Sequence, residues 1–86
     1  MEGKMNREQV EEKVLDIIQE ICDDDIIREE KDINLLDEGL IDSLDYIDML
    51  VQFEEAFDII MSPSEFTREE MDTPQKIIDQ VSKRVS

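Results

Sequence analysis

The 86-residue chain contains no histidine, and this absence restricts its chemistry. A serine nucleophile needs a nearby base to remove its proton at neutral pH, and histidine is the usual one. We therefore expect that no serine of this chain acts as a catalytic nucleophile and that the protein is not an enzyme. With no histidine and one cysteine, Cys22, the sequence also offers no set of zinc ligands.

Cysteine and long apolar runs are equally scarce. Cys22 cannot form an internal disulfide, and its position at the edge of an apolar helical stripe is typical of a small buried side chain. No apolar run approaches the roughly 20 residues of a membrane span, and the N-terminus lacks the apolar core of a signal peptide. These features predict a cytoplasmic protein without direct membrane insertion, and we expect it to be a monomer.

Basic residues are few as well. Nine Lys and Arg stand against 25 Asp and Glu, which gives a formal net charge of -16. Nucleic acid is excluded as a partner because its phosphates would be repelled, and basic protein surfaces are the expected partners. The 40% of apolar residues are clustered at helical spacing, so the charge does not imply disorder.

The apolar spacing predicts an all-α protein: a small four-helix bundle with a long loop between the first two helices and a short third helix. Residues 1–5 are expected to be a flexible leader, and residues 6–86 a single domain. The boundaries come from capping and turn residues. They place helix 1 from Asn6 to the Asp23–Asp25 run, the loop over 26–42, helix 2 from Asp42 through Phe57, the short helix over Ser62–Met71 and helix 4 from Thr73.

Two apolar stripes run along predicted helix 2. Its core stripe consists of Tyr46, Met49, Leu50, Phe53 and Phe57. A second stripe, Leu44, Ile47 and Val51, lies on a different side together with carboxylates. This second stripe either covers the aliphatic side chains of the long loop or forms a docking surface.

Ser43 lies at the start of the same helix, beside the capping residue Asp42. It is either an ordinary helix-start serine or a hydroxyl that another enzyme modifies. The nearby Gly39 loop does not match a calcium-binding EF-hand loop, because Leu36 falls where an oxygen ligand is required. No metal site is therefore predicted. The predicted docking face comprises Asp42, Leu44, Asp45, Ile47, Asp48, Val51, Glu54 and Glu55.

The sequence resembles the acyl carrier proteins, and within them the D-alanyl carrier proteins of teichoic acid D-alanylation. The resemblance extends from about Glu12 to the last helix. It is carried by Val14-Leu15-Asp16, Ile21-Cys22, Asp24-Asp25-Ile26, Glu38-Gly39-Leu40-Ile41-Asp42-Ser43, Pro63-Ser64-Glu65-Phe66, Arg68 and Thr73-Pro74. Two positions depart from the D-alanyl pattern, since Leu44 resembles general acyl carriers and Met71 stands where Trp is frequent.

This resemblance implies that Ser43 receives 4′-phosphopantetheine from coenzyme A through a phosphopantetheinyl transferase. It implies D-alanine as cargo, held as a thioester on the arm, loaded by an ATP-dependent D-alanine–carrier protein ligase and passed to a membrane-associated acceptor system. Alternatives are a fatty acyl, polyketide or other aminoacyl cargo, and an acidic interaction module that carries none.

Overall fold

The computed structural model describes residues 6–85, except the side chain of Arg68, and the regular secondary structure of this part of the chain is helical, with no strand. The predicted leader lies outside the described residues. The elements are α1 (Arg7–Cys22), α2 (Ile26–Glu29), α3 (Ser43–Phe57), two 3₁₀ turns (Pro63–Glu65 and Arg68–Glu70) and α4 (Pro74–Val85). The prediction of a small all-α bundle is confirmed.

The starts of the long helices are capped as the sequence predicts. Asn6 forms a capping box with Gln9 at α1, and Asp42 forms one with Asp45 at α3. At α4 the hydroxyl of Thr73 accepts a hydrogen bond from the backbone N–H of Lys76 at 3.2 Å. Each cap satisfies a backbone donor that the first helical turn leaves without an intrahelical partner, and so defines where the helix begins.

Helix α1 is the centre of the bundle, because it contacts α2, α3 and α4. The buried core is one continuous cluster of side chains from these helices and from the connections between them. It includes the predicted core stripe of α3, except that Phe57 is only half-buried. The largest fully buried side chains are Phe53, Ile18, Ile27, Leu35, Met49, Leu50, Met61, Met71, Ile77 and Ile78.

The prediction of a continuous loop over 26–42 is wrong at its start, where α2 forms one helical turn. The Asp24 carboxylate accepts the N–H of Ile26 at 3.0 Å, and Ile27 is fully buried. Arg28 then binds α1 through hydrogen bonds to Gln19 at 2.6 Å and to Asp16. Such a short helix has little intrinsic stability, and these contacts with α1 hold it.

The remainder of the loop is ordered by its own hydrogen bonds and by the segment before α4. Leu35, fully buried, donates its N–H to the carbonyl of Asp72 at 2.8 Å and accepts from Leu40 and Ile41 at 2.9 and 3.2 Å. Gly39 adopts a φ of 73° in this turn, a conformation that glycine tolerates. The loop therefore brings the chain to Asp42 on a fixed path, as its aliphatic side chains predicted.

The predicted short third helix consists of two separate 3₁₀ turns, with Phe66 in extended conformation directly after the first. Arg84 of α4 holds this segment. Its guanidinium lies 4.5 Å from the centre of the Phe66 ring and donates to the Glu65 carboxylate at 3.0 Å. Since these contacts connect residues distant in sequence, local periodicity did not reveal how the segment would be divided.

Candidate functional site

Ser43 is the first residue of α3 and its side chain is exposed. The loop that ends at the buried Ile41 positions it, and Asp42 caps the helix that it starts. The N–H groups of a first helical turn and the helix dipole both favour a negatively charged group at this position. Ser43 is therefore an exposed residue at the start of a capped helix.

Two carboxylates next to Ser43 serve the helix start. The N–H of Asp45 donates to Asp42 Oδ1 at 2.8 Å, and the N–H of Asp42 donates to Asp45 Oδ2 at 3.2 Å. One oxygen of each carboxylate is thus held by the backbone. Both carboxylates therefore cap α3, in addition to contributing the negative surface charge for which they were predicted as docking residues.

The second apolar stripe of α3 is exposed to solvent. Leu44, Ile47 and Val51 are 78%, 47% and 43% exposed. The long loop buries Leu35 and Ile41 in the core cluster, to which α1 and α3 also contribute side chains. Leu44 is largely uncovered, whereas Ile47 and Val51 are each partly exposed and partly covered, which agrees with both interpretations of this stripe.

The acids that accompany this stripe divide into two groups. Asp48 and Glu55 are exposed on α3. Glu54 is half-buried, and its Oε2 accepts the N–H of Met61 at 2.9 Å. Asp48 and Glu55 therefore supply surface charge, whereas Glu54 also anchors the connection that follows α3.

The charge around α3 is of one sign over a long stretch. From Asp32 to Thr67 the sequence contains ten Asp and Glu and no Lys or Arg. The described ion pairs join basic side chains to acids outside α3, as in Arg7–Asp79, Arg28–Glu12 and Lys31–Glu11. The stretch from Asp32 to Thr67, which includes Ser43, therefore carries negative charge with no basic side chain of its own.

Cys22 is the single thiol of the chain, and its surroundings make it less reactive than an exposed thiol. It is half-buried at the end of α1, and its thiol donates to the carbonyl of Asp24 at 3.4 Å. Desolvation by burial raises the pKa of the Cys22 thiol above its ordinary value. Cys22 is therefore a weak nucleophile at neutral pH.

Ile60 is an exposed residue that sequence reasoning did not select. Its side chain is 73% exposed in the connection after α3. The sequence signal was weak, because the run Ile59-Ile60-Met61 indicates only a short apolar connector. Which of the three side chains faces solvent depends on tertiary contacts.

Comparison with protein families identifies the class. Residues 12–81 match the family described as "Phosphopantetheine attachment site". The chain belongs to this family of carrier proteins, and its cofactor is 4′-phosphopantetheine. No helix among residues 6–85 is long and apolar enough to cross a membrane.

Two similar proteins are named D-alanyl carrier proteins. The chain is 49% identical to a D-alanyl carrier protein of Abiotrophia defectiva over 77 residues, which cover 90% of this chain and 98% of that protein. It is 45% identical to a D-alanyl carrier protein of Bacillus cereus strain B4264 over 67 residues, which cover 78% and 85% of the two chains. The matches extend over most of the helical bundle.

The site fits the cofactor. A serine at the exposed first position of a capped helix could form a phosphodiester without displacing a core side chain, and the neighbouring Leu44 is also exposed. When bound, the group supplies a thiol that can hold cargo as a thioester. The chain itself supplies the attachment point and the surface around it.

Proposed function

We propose that Ser43 is the attachment residue for 4′-phosphopantetheine and that the protein carries D-alanine for the D-alanylation of teichoic acid. The observation that carries the proposal is the exposed Ser43 hydroxyl at the capped start of α3. It lies inside the family match, in a chain close to named D-alanyl carrier proteins.

In this proposal the chain performs no catalysis of its own. Asp42 and Asp45 fix the start of α3, so that the Ser43 hydroxyl projects from a rigid element. Without histidine, the base that removes the serine proton comes from a phosphopantetheinyl transferase. Cys22, with its raised pKa and partial burial, does not compete with an exposed thiol on the arm.

The docking surface of the proposal is the outer side of α3. Leu44, Ile47 and Val51 supply exposed apolar area, and Asp48 and Glu55 supply negative charge beside it. A basic partner with a complementary apolar patch would be steered by the charge and held by the apolar contact. Asp42, Asp45 and Glu54 complete this face while also holding the fold.

The aromatic side chains inside the bundle favour a small cargo. Phe53 is fully buried and packs at 6.4 Å between ring centroids against Phe57, and Tyr46 is buried in the same core. These rings occupy space between α3 and the other helices that a long acyl chain would need. A small polar aminoacyl group instead stays in solvent at the end of the arm.

The proposed partners act in sequence. A transferase modifies Ser43, a cytoplasmic ATP-dependent ligase activates D-alanine and loads the arm, and a membrane-associated acceptor system receives the cargo. The carrier works as a cytoplasmic monomer and reaches that system by docking, without insertion of its own into the membrane.

A two-stage experiment tests the proposal. First, the protein and Ser43→Ala are coexpressed with a phosphopantetheinyl transferase and their intact masses are measured. We expect the parent to gain the cofactor and Ser43→Ala to remain unmodified with an unchanged circular dichroism spectrum. Because Asp42 and not Ser43 caps α3, loss of the Ser43 hydroxyl leaves the cap in place.

In the second stage the modified parent is offered D-alanine by a D-alanine–carrier ligase and long acyl chains by a fatty-acid loading system, in competition. We expect preferential formation of the D-alanyl thioester. Modification of Ser43→Ala at the parent rate would move the attachment site elsewhere. Loading by long acyl chains alone would leave the protein a carrier of fatty acyl cargo.

A further inference from the structure

The turn that precedes Ser43 is joined to the segment before α4 at one residue, Asp72. The backbone carbonyl of Asp72 accepts the N–H of Leu35 at 2.8 Å, and its Oδ2 accepts from Asn34 Nδ2 at 3.1 Å. Asn34 and Asp72 are 38 positions apart in the sequence. Asp72 therefore connects two segments that meet only in the folded protein.

The Asp72 side chain is only 13% exposed, and both of its oxygens have partners. Its Oδ1 accepts from Lys76 Nζ at 3.1 Å, while Oδ2 accepts from Asn34. A carboxylate with so little access to water needs such hydrogen bonds to remain charged. The orientation of the Asp72 side chain is therefore fixed from the side of α4 and from the side of the turn.

Asn34 transmits this constraint to the turn. Its Oδ1 accepts the N–H groups of Leu36 at 3.1 Å and Asp37 at 2.9 Å, while its Nδ2 donates to Asp72. Both atoms belong to one planar amide, so the bond to Asp72 also sets the direction in which Oδ1 meets the turn. One side chain thus orders the turn and attaches it to the segment before α4.

The turn in its place leads directly to Ser43. The N–H of Ile41 donates to the carbonyl of Leu35 at 3.2 Å, and Ile41 is 3% exposed. Asp42, which caps α3, and Ser43 follow as the next two residues. A displacement of the turn would therefore move the backbone that enters the helix start.

We propose that the Asn34–Asp72 pair positions Ser43 for attachment of phosphopantetheine, and this inference rests on the function proposed above. In that reaction a bond forms between Ser43 Oγ and phosphorus, and the pyrophosphate bond of coenzyme A breaks to release adenosine bisphosphate. The serine proton passes to a base of the transferase. Neither Asn34 nor Asp72 touches the reacting atoms, so both are positioning residues.

The role of the pair predicts a specific kinetic signature. If only a fraction of the molecules holds the turn in its ordered form, the apparent affinity of a partner that requires this form falls by that fraction. Bound carrier is already ordered, and its reaction is unaffected. Loss of the pair should therefore raise the KM of the transferase for the apo-protein and leave kcat unchanged.

Asn34→Asp is the first test. It keeps an oxygen that can accept from the turn, but it places a carboxylate against that of Asp72. We expect the KM for the apo-protein to rise roughly tenfold with coenzyme A as the second substrate. The added negative charge would by itself speed the encounter with a basic transferase, so steering and positioning predict opposite signs.

An exchanged pair is the second test. Asn34→Asp combined with Asp72→Asn reverses donor and acceptor and restores the net charge of the parent, so the KM should return to the parent value. Amide hydrogen exchange gives a readout that does not involve the transferase. The N–H groups of Leu40 and Ile41 should exchange faster in Asn34→Asp than in the parent and slow again in the exchanged pair.

Arg84→Met is the matched control, because it changes the net charge by the same amount as Asn34→Asp. It removes hydrogen bonds to Ile60 and Glu65 from the segment after α3 and leaves the Asn34–Asp72 pair intact. Its KM should equal that of the parent even if its melting temperature falls. An equal rise of KM in Arg84→Met would show that general loss of stability is the cause, and would overturn the inference.

The remaining outcomes separate this inference from the proposed function. If Asn34→Asp does not fold by circular dichroism, Asp72→Ala is compared with Asp72→Asn, which changes the charge equally and keeps an acceptor for Asn34; only Asp72→Ala should raise the KM. A parent KM in the variants that break the pair, or unchanged hydrogen exchange in the turn, would overturn the positioning role while Ser43 remains the attachment residue. Absence of modification at Ser43 in the parent would overturn the proposed function itself.

Discussion

At the scale of single residues, Glu54 contributes to the fold as well as to the charge of the surface. Its carboxylate accepts the N–H of Met61 at 2.9 Å in a part-buried position. A part-buried donor that loses its acceptor costs about 1–3 kcal/mol, more than an exposed charge contributes. The acid was predicted as a docking residue, and its hydrogen bond to the backbone adds a structural role.

A matched pair of variants tests this role. Glu54→Gln removes the charge and keeps an oxygen that can accept from Met61, whereas Glu54→Leu removes both. Because the two variants change the net charge equally, we expect Glu54→Leu to be less stable than Glu54→Gln by about 1–2 kcal/mol in urea unfolding followed by circular dichroism. Equal unfolding midpoints would show that the Met61 N–H does not depend on this acceptor.

The local sequence predicted that Asp42 caps α3 and that Ser43 lies at the helix start, but it did not predict the exposure of Ile60. A helix cap is recognisable within four residues, because the capping side chain bonds the backbone three positions on. The orientation of Ile60 instead depends on Arg84, 24 residues away. No periodicity within the connector contains that information.

At the scale of elements, the two faces of α3 were predictable and α2 was not. A 15-residue helix repeats its apolar spacing often enough to separate a core stripe from a second stripe. The four residues of α2 have no period to read, and the turn is held by Arg28 bonded to α1. The degree to which the second stripe is exposed depends on contacts outside α3, which the spacing within the helix does not contain.

The outer face of α3 gives a prediction for electrostatic steering. Asp45 and Glu54 also hold backbone N–H groups, so a clean test reverses the exposed acids Asp48 and Glu55 to Lys. We expect the kcat/KM of the transferase for the apo-protein to fall about tenfold at low ionic strength, since a charged face mainly accelerates encounter. At about 1 M salt, where the Debye length is roughly 3 Å, the difference should shrink.

The control makes the same change of net charge elsewhere. Glu20 and Glu29 are exposed on α1 and α2, outside α3, and Glu20→Lys with Glu29→Lys alters the charge by the same amount. Retention of most of the parent rate by this control is expected. If both double variants slow the transferase equally, net charge and not the α3 face governs encounter.

At the scale of the whole molecule, the excess of carboxylates sets a cost for the compact state. The net charge is -16 on 86 residues, and the described ion pairs draw basic side chains toward acids outside α3. Like charges on one small surface repel each other, and folding brings them closer together. The apolar core must offset this repulsion as well as the conformational entropy of the chain.

Added salt should therefore stabilise the fold. Raising NaCl from about 10 mM to about 0.5 M shortens the Debye length several-fold, and we expect the melting temperature to rise by several degrees, since about 1 kcal/mol corresponds to roughly 4–8 °C for a domain of this size. Magnesium should stabilise more than sodium at equal ionic strength, with a gradual dependence on concentration and no one-to-one saturation.

As a matched control, Asp48→Asn with Glu55→Gln lowers the repulsion without introducing opposite charge and should reduce the salt dependence. A melting temperature indifferent to salt, measured by circular dichroism, would show that the carboxylates are too widely spaced for their repulsion to affect folding.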